Sequence, residues 1–258
     1  MDRRDAFLHL GPSRLGTELV GELLDDRRGA LAAAGVRRAG TPDAAFRAAV
    51  ELARDHRAWG FRRAEVEGAW AGVCRESRRH RRSTRAVVVS ERLLAGLTRP
   101  QVDLLLDQLV GFRAHVVLTV TAPEPHCHAG DPATDLVDVL DRWAPAVGDP
   151  ARVHVLVVPR GPRPVARDGV RAAFGAVVGA DPAARATRSG LRPEHGPLGA
   201  PAAAASAAGG EEEHARLTGL ALTWIGALAT SGHDVHGDLA DLLPGASVRL
   251  PGVLVGGA

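Results

Sequence analysis

Apolar residues follow two rhythms along this chain, and their alternation predicts a parallel sheet covered by helices. Short continuous apolar runs read as buried strands at 6–10, at 85–90 (Arg-Ala-Val-Val-Val-Ser), at 115–121 (His-Val-Val-Leu-Thr-Val-Thr) and at 152–158 (Arg-Val-His-Val-Leu-Val-Val). Pro159 stops the last of these, and Gly35-Val36 opens a shorter one. Between them, helical spacing predicts helices over 15–33, 43–57, 63–82, 91–97, 100–112, 135–144 and 167–178. The helix at 63–82 carries Val66, Trp70 and Val73 on one stripe. The Pro/Gly/Ala/Ser stretch 185–210 predicts a flexible loop. Acidic residues then open a helix over 211–229, which suits the helix dipole. Strands alternating with helices predict an α/β fold, a three-layer parallel sheet with helices on both faces, in a single domain spanning 1–258.

Composition narrows the chemistry. All 32 Lys-plus-Arg residues are Arg; Lys, Asn and Tyr are absent, and Ile occurs only at Ile225. The missing residues share AT-rich codons, the bias of a GC-rich bacterial genome. Arg must therefore fill every cationic role, and no Lys can serve as a Schiff base or proton donor. A net charge of +2 implies no global attraction to nucleic acid. Cys74 and Cys127 form no disulfide framework, which suits a reducing compartment. With no signal-peptide core and no apolar run near the roughly 20 residues that span a bilayer, a cytoplasmic protein without membrane contact is expected.

The start of the chain carries the clearest chemical pattern. The first strand runs into Gly11-Pro12-Ser13-Arg14, and Gly16-Thr17 then opens an amphipathic helix with Leu19, Val20, Leu23, Leu24 and Leu31. Strand, tight loop and helix start present backbone N–H groups and a helix N-terminus to a phosphate. A plain strand–helix turn gives the same pattern. A nucleotide triphosphatase is disfavoured, since Gly11-x-x-x-x-Gly16-Thr17 lacks the Lys between Gly and Thr.

Five stretches in register resemble the sulfotransferase-type family found in actinobacteria. They are 9–17 (His-apolar-Gly-x-x-basic-x-Gly-Thr), 87–95 (Val-Val-Val-Ser-Glu), 115–121, 140–158 (Leu140-x-Arg142-Trp143, then Val-His-Val) and 232–244 (Gly-x-Asp-Val-x-Gly-Asp-Leu-x-x-Leu-x-Pro). The resemblance implies a P-loop/sulfotransferase-type fold that binds 3′-phosphoadenosine 5′-phosphosulfate and transfers its sulfuryl group to a hydroxyl or amine acceptor. By position it assigns Gly11, Ser13, Arg14, Gly16, Thr17, Ser90 and Thr121 to the cofactor, Arg14 standing where the family has a loop Lys. Catalysis falls to Arg14 and to Glu91, a carboxylate at a strand's carboxyl edge that could accept the acceptor's proton. Glu91 as a helix cap is the plainer reading.

The departures point the other way. Arg is a poor proton donor to a leaving oxygen. Thr121 replaces the family's Arg for the 3′-phosphate, and Ser90-Glu91-Arg92 lacks the family's His after the serine. The acceptor-facing segment shrinks to 122–134. Together these suggest weakened or lost sulfuryl transfer, and the alternative to a transferase is a catalytically inactive member that keeps the fold as a binding or interaction module.

The remaining clusters suggest less. His9, His56 and His115 flank apolar segments and read as packing residues. His126-Cys127-His128 with Asp131 holds metal-capable atoms, but adjacent ligands need a partner pair from elsewhere, so no metal centre is expected. His233, Asp234, His236 and Asp238 fall in the resembling tail, read as a structural turn and helix. The arginine run 75–85 reads as a solvated helix end, without the interleaved aromatics of nucleic-acid binding.

Overall fold

A computed structural model describes residues 3–79, 83–180 and 208–245. Six strands form one all-parallel sheet: β1 (Arg4–Leu10), β2 (Val36–Arg38), β3 (Ala86–Ser90), β4 (Phe112–Val120), β5 (Val153–Val157) and β6 (Asp234–His236), in the order β2-β3-β1-β4-β5-β6. Alternate residues of each strand enter two separate cores. On one face Phe7, Val88, Val117 and Leu156 pack against α1 (Arg14–Asp26), α2 (Arg28–Ala33) and α8 (Arg163–Val177). On the other, Leu8, Val87, Leu118 and Val155 pack against α3 (Pro42–Ala53), α5 (Ala69–Arg78), α6 (Arg99–Asp107), α7 (Leu136–Val147) and α9 (Ala208–Thr230). The short helix α4 (Arg63–Val66) precedes α5. The fold is thus a three-layer α/β/α parallel sheet, as the two rhythms predict.

Helix starts follow local sequence. Ser13 caps α1, Thr41 ahead of Pro42 caps α3, and Asp135 caps α7 through the Val137 N–H. Thr98 and Gln101 close a capping box on α6.

Where the expected elements differ, a backbone or pairing reason is visible. The helix expected over 15–33 breaks at Arg27, which caps both α1 and α2. The one over 63–82 breaks at Gly68, whose φ of 83° ends helical geometry. The one over 43–57 stops at Ala53, because Arg54 turns left-handed at φ 58°. The strand expected at 115–121 begins at Phe112, three residues before His115, paired with Arg4 of β1, so the helix before it ends at Asp107. Residues 92–96 form a single 3₁₀ turn. β6 was not expected; three residues with two polar side chains carry no strand rhythm. Of the expected loop 185–210, residues 185–207 lie outside the described residues, and 208–210 belong to α9. Among the described residues no helix is long and apolar enough to cross a membrane.

Candidate functional site

Connections from β1 and β4 leave toward opposite edges of the sheet, so the crevice beyond their carboxyl ends is a topological switch point, the usual ligand position in open α/β sheets. The β1–α1 loop stands there and is only three residues long, Gly11, Pro12 and Ser13, all buried. Its glycines have a packing cause. A Cβ on Gly11 would stand 2.6 Å from the Thr119 carbonyl oxygen, and one on Gly16 would stand 2.4 Å from Thr119 Oγ1. Both glycines therefore let the loop and the first turn of α1 close onto β4 at one residue.

The polar groups of this loop are largely used by the turn itself. Ser13 Oγ accepts from the Gly16 N–H at 3.5 Å, and Thr17 Oγ1 donates to the Ser13 carbonyl at 3.2 Å. Arg14 points away from the crevice region along α1: its side chain is 83% exposed and its Nε donates to Glu18 at 2.8 Å. That hydrogen bond lowers the Glu18 pKa, with the Arg14 and Arg163 charges acting the same way. Glu18 stays ionised beside the helix start, where an anion would have to sit.

Beneath the loop lies a buried polar bridge. His9 on β1 contacts Ser90 Oγ on β3 through Nδ1 at 2.8 Å and Thr119 Oγ1 on β4 through Nε2 at 3.1 Å. Neutral imidazole suits this arrangement, one nitrogen donating and the other accepting. Burial, with the positive charge of Arg38, pushes the His9 pKa down to about 3. The folded pKa lies below the unfolded value near 6.5, so protonation favours the unfolded chain. The His9 contribution is fully present at neutral pH and is lost as pH falls from about 6.5 toward about 3. Between pH 7 and pH 5 it is expected to cost about 2 kcal/mol of stability. Denaturant titrations of wild type and His9→Gln at the two pH values measure this. A flatter dependence in the variant is the expected result, and equal slopes would contradict it.

The crevice in front of the loop is narrow among the described residues. Pro12, Ser13, Thr121, Ala122, Glu124, His126, Cys127 and Trp224 line a space of about 10 Å³, room for about one water. No guanidinium lines it among the described residues, and Glu124 brings a carboxylate. The segment after β4 is tied across this space from both sides. Arg216 of α9 donates to the Cys127 and Pro125 carbonyls at 2.6 and 3.0 Å. Arg142 of the Leu-x-Arg-Trp stretch donates to the Ala95, Leu97 and Pro132 carbonyls. Asp135, itself buried, accepts from Trp224 Nε1 at 2.8 Å, from the Gly130 N–H at 2.7 Å and from the Val137 N–H at 3.1 Å.

No protein-family model, curated protein or solved structure matches this chain. The site therefore has to be weighed on its own residues. Ser13 and Thr121 line the crevice together, Gly11 and Gly16 close onto Thr119, and Thr17 is tied to the Ser13 carbonyl. Ser90 lies below that edge, buried against His9, and Glu91 caps the 3₁₀ turn through the Leu93 N–H at 3.1 Å. Burial pushes the Glu91 pKa up, against the pull of that backbone bond and of Arg92. The described lining of the crevice thus sets one carboxylate, Glu124, and no guanidinium beside these residues. Sequence reasoning missed Thr119, Asp135 and Trp224; their importance comes from partners at least 89 residues away, and only the Gly11–Gly16 spacing hinted at one of them.

Proposed function

We propose that this chain is a non-catalytic protein on a sulfotransferase-type fold, a binding or interaction module rather than a transferase. The narrow crevice at the switch point carries this reading. Its residues pack against one another where a nucleotide would enter, and the one loop cation is bound to Glu18 on the exposed side of α1. The loop's glycines are accounted for by Thr119, so their spacing needs no phosphate to explain it.

One observation favours a second reading, a sulfuryl transferase with Arg14 and the loop amides at the 5′-phosphosulfate and Glu91 as base. Ser13, Ser90, Glu91 and Thr121 all stand at or next to the carboxyl ends of β1, β3 and β4, the edge that binds ligands in such sheets.

Calorimetric titration with 3′-phosphoadenosine 5′-phosphate, beside adenosine 5′-phosphate, separates the two. Neither nucleotide is expected to bind with a Kd below about 1 mM, which corresponds to about 4 kcal/mol. Micromolar binding selective for the 3′-phosphorylated nucleotide, and lost in Arg14→Ala, would overturn the proposal and restore the transferase.

A further inference from the structure

On the face covered by α1 and α8, three side chains of the β5–β6 edge converge, none of which lines the crevice. Asp234 and His236 are two apart on β6 and so share a face, and His154 of β5 stands directly opposite Asp234 in the parallel register. His154 Nδ1 lies 2.7 Å from Asp234 Oδ2, and His236 Nε2 lies 3.0 Å from the same oxygen. All three ligand-capable atoms are within 4.8 Å of one another, the one such group among the described residues. We propose that His154, Asp234 and His236 bind a single divalent first-row transition metal, with zinc as the representative ion.

The hydrogen-bond inventory supports a cation there. The other nitrogen of His154, Nε2, lies 3.0 Å from His115 Nδ1, and His115 Nε2 lies 3.4 Å from Asp5 Oδ1. His115 Nε2 is buried and makes no hydrogen bond, so the chain holds two hydrogen bonds, His115–His154 and His154–Asp234, which two neutral imidazoles supply with the Nδ1–H donating in each ring. That arrangement leaves the His115 Nε2 lone pair facing the Asp5 carboxylate oxygen at 3.4 Å. A metal ion between His154 Nδ1 and Asp234 reverses both tautomers. His154 then donates Nε2–H to His115, His115 donates toward Asp5, and the His154 Nδ1 lone pair is left for the metal. A metal-bound histidine whose other N–H is held by a partner chain of this kind is fixed in tautomer and orientation.

Geometry and donor chemistry agree. Tetrahedral zinc with bonds near 2.0–2.1 Å holds its ligand atoms about 3.3 Å apart. The contacts of 2.7 and 3.0 Å open by roughly half an ångström or less, and the two histidine nitrogens, within 4.8 Å of each other, close onto the ion. Two imidazoles and one carboxylate suit zinc and its neighbours, whereas magnesium and calcium prefer oxygen ligands throughout. The His154 side chain is 6% exposed, that of His236 15% and that of Asp234 33%, so the open side of the cluster faces solvent through Asp234. A water in the fourth position completes the coordination. Bound metal would also clip the three-residue strand β6 to β5.

The test uses the full chain without an affinity tag, stripped with chelator and titrated with zinc chloride in a calorimeter, with magnesium chloride in parallel. The expected result is one equivalent of zinc bound at micromolar Kd or tighter, a raised Tm, and no response to magnesium. His236→Gln and Asp234→Asn should each weaken zinc binding at least tenfold, while His126→Gln, on a distant exposed loop, should not. Absence of stoichiometric zinc binding, or His236→Gln binding zinc as wild type does, would overturn the proposal. Cobalt added to wild type gives a readout independent of the variants' folding. The visible absorption of a low-coordinate nitrogen/oxygen centre is expected, and the pale spectrum of hydrated cobalt would count against the site. None of these outcomes depends on whether the crevice at the β1–β4 switch point binds a nucleotide.

Discussion

Replacing Asp135 by Ala should destabilise this protein by about 3–4 kcal/mol, measured as a lower denaturant midpoint. One carboxylate holds three donors from three places: the Trp224 indole of α9, the Gly130 amide in the segment after β4, and the Val137 amide in the first turn of α7. Loss of the helix cap alone costs about 1 kcal/mol. A buried Trp N–H left without an acceptor adds about 1–3 kcal/mol, since it has given up water and regains nothing. The Gly130 amide is closer to solvent and adds less. Asp135→Asn keeps an acceptor oxygen and the shape, so it should recover part of the loss. If Asp135→Ala unfolded with the wild-type midpoint, the carboxylate would not be the tie that holds the segment after β4 in place. The expected result also has a local signature: Trp224 fluorescence should shift toward that of a hydrated indole before the global transition, as its anchor is removed.

Gly16→Ala should cost at least about 1–3 kcal/mol, although the same change is favourable in most helices. Ala is preferred over Gly in a helix interior by about 1 kcal/mol. Gly21, in the same helix with nothing near its absent Cβ, should show that preference, and Gly21→Ala should gain about 0.5–1 kcal/mol. At position 16 the new methyl would stand 2.4 Å from Thr119 Oγ1 and 2.5 Å from Thr119 Cβ, so α1 must lift off the sheet. Overpacking of this kind outweighs propensity. Lifting the helix also disturbs Thr119 Oγ1, the acceptor or donor for His9 Nε2. Opposite signs at Gly16 and Gly21, read from paired denaturation curves, are the expected outcome. A neutral Gly16→Ala would mean that the close approach of loop and strand is not required.

These two cases show what the sequence could and could not display. The strands at 86–90, 116–120 and 153–157 were legible because a strand buried on both faces must be continuously apolar. The glycines at 11 and 16 were legible as a spacing, but their cause was not, since Thr119 reaches them only through the β1–β4 register. A phosphate loop and a tight helix–strand contact ask for the same residue in the same place. Asp135 was visible only as the first residue of an expected helix. The tail residues Asp234 and His236 stood out as a cluster, yet their partner His154 looked like a strand residue, and only the pairing of β5 with β6 joins them. Helix breaks at Arg27 and Gly68 eluded pattern reasoning because apolar spacing continues through a break when both pieces face the same sheet.

The position of β1 has a consequence for how the chain folds. This first strand lies in the middle of the sheet, yet its neighbours are β3 and β4, whose pairing residues begin at Ala86 and Phe112. During synthesis at about 5–20 residues per second, the apolar run Ala6–Leu10 would wait roughly 4–20 s before either partner is available. The nascent segment is therefore an aggregation-prone strand in search of an edge, and the sheet grows outward from a pairing that forms only after more than a third of the chain has been made. Every pairing in this all-parallel sheet closes a crossover rather than a hairpin, and such long-range pairing is intrinsically slow, so masking Ala6–Leu10 until β3 and β4 emerge would protect the chain.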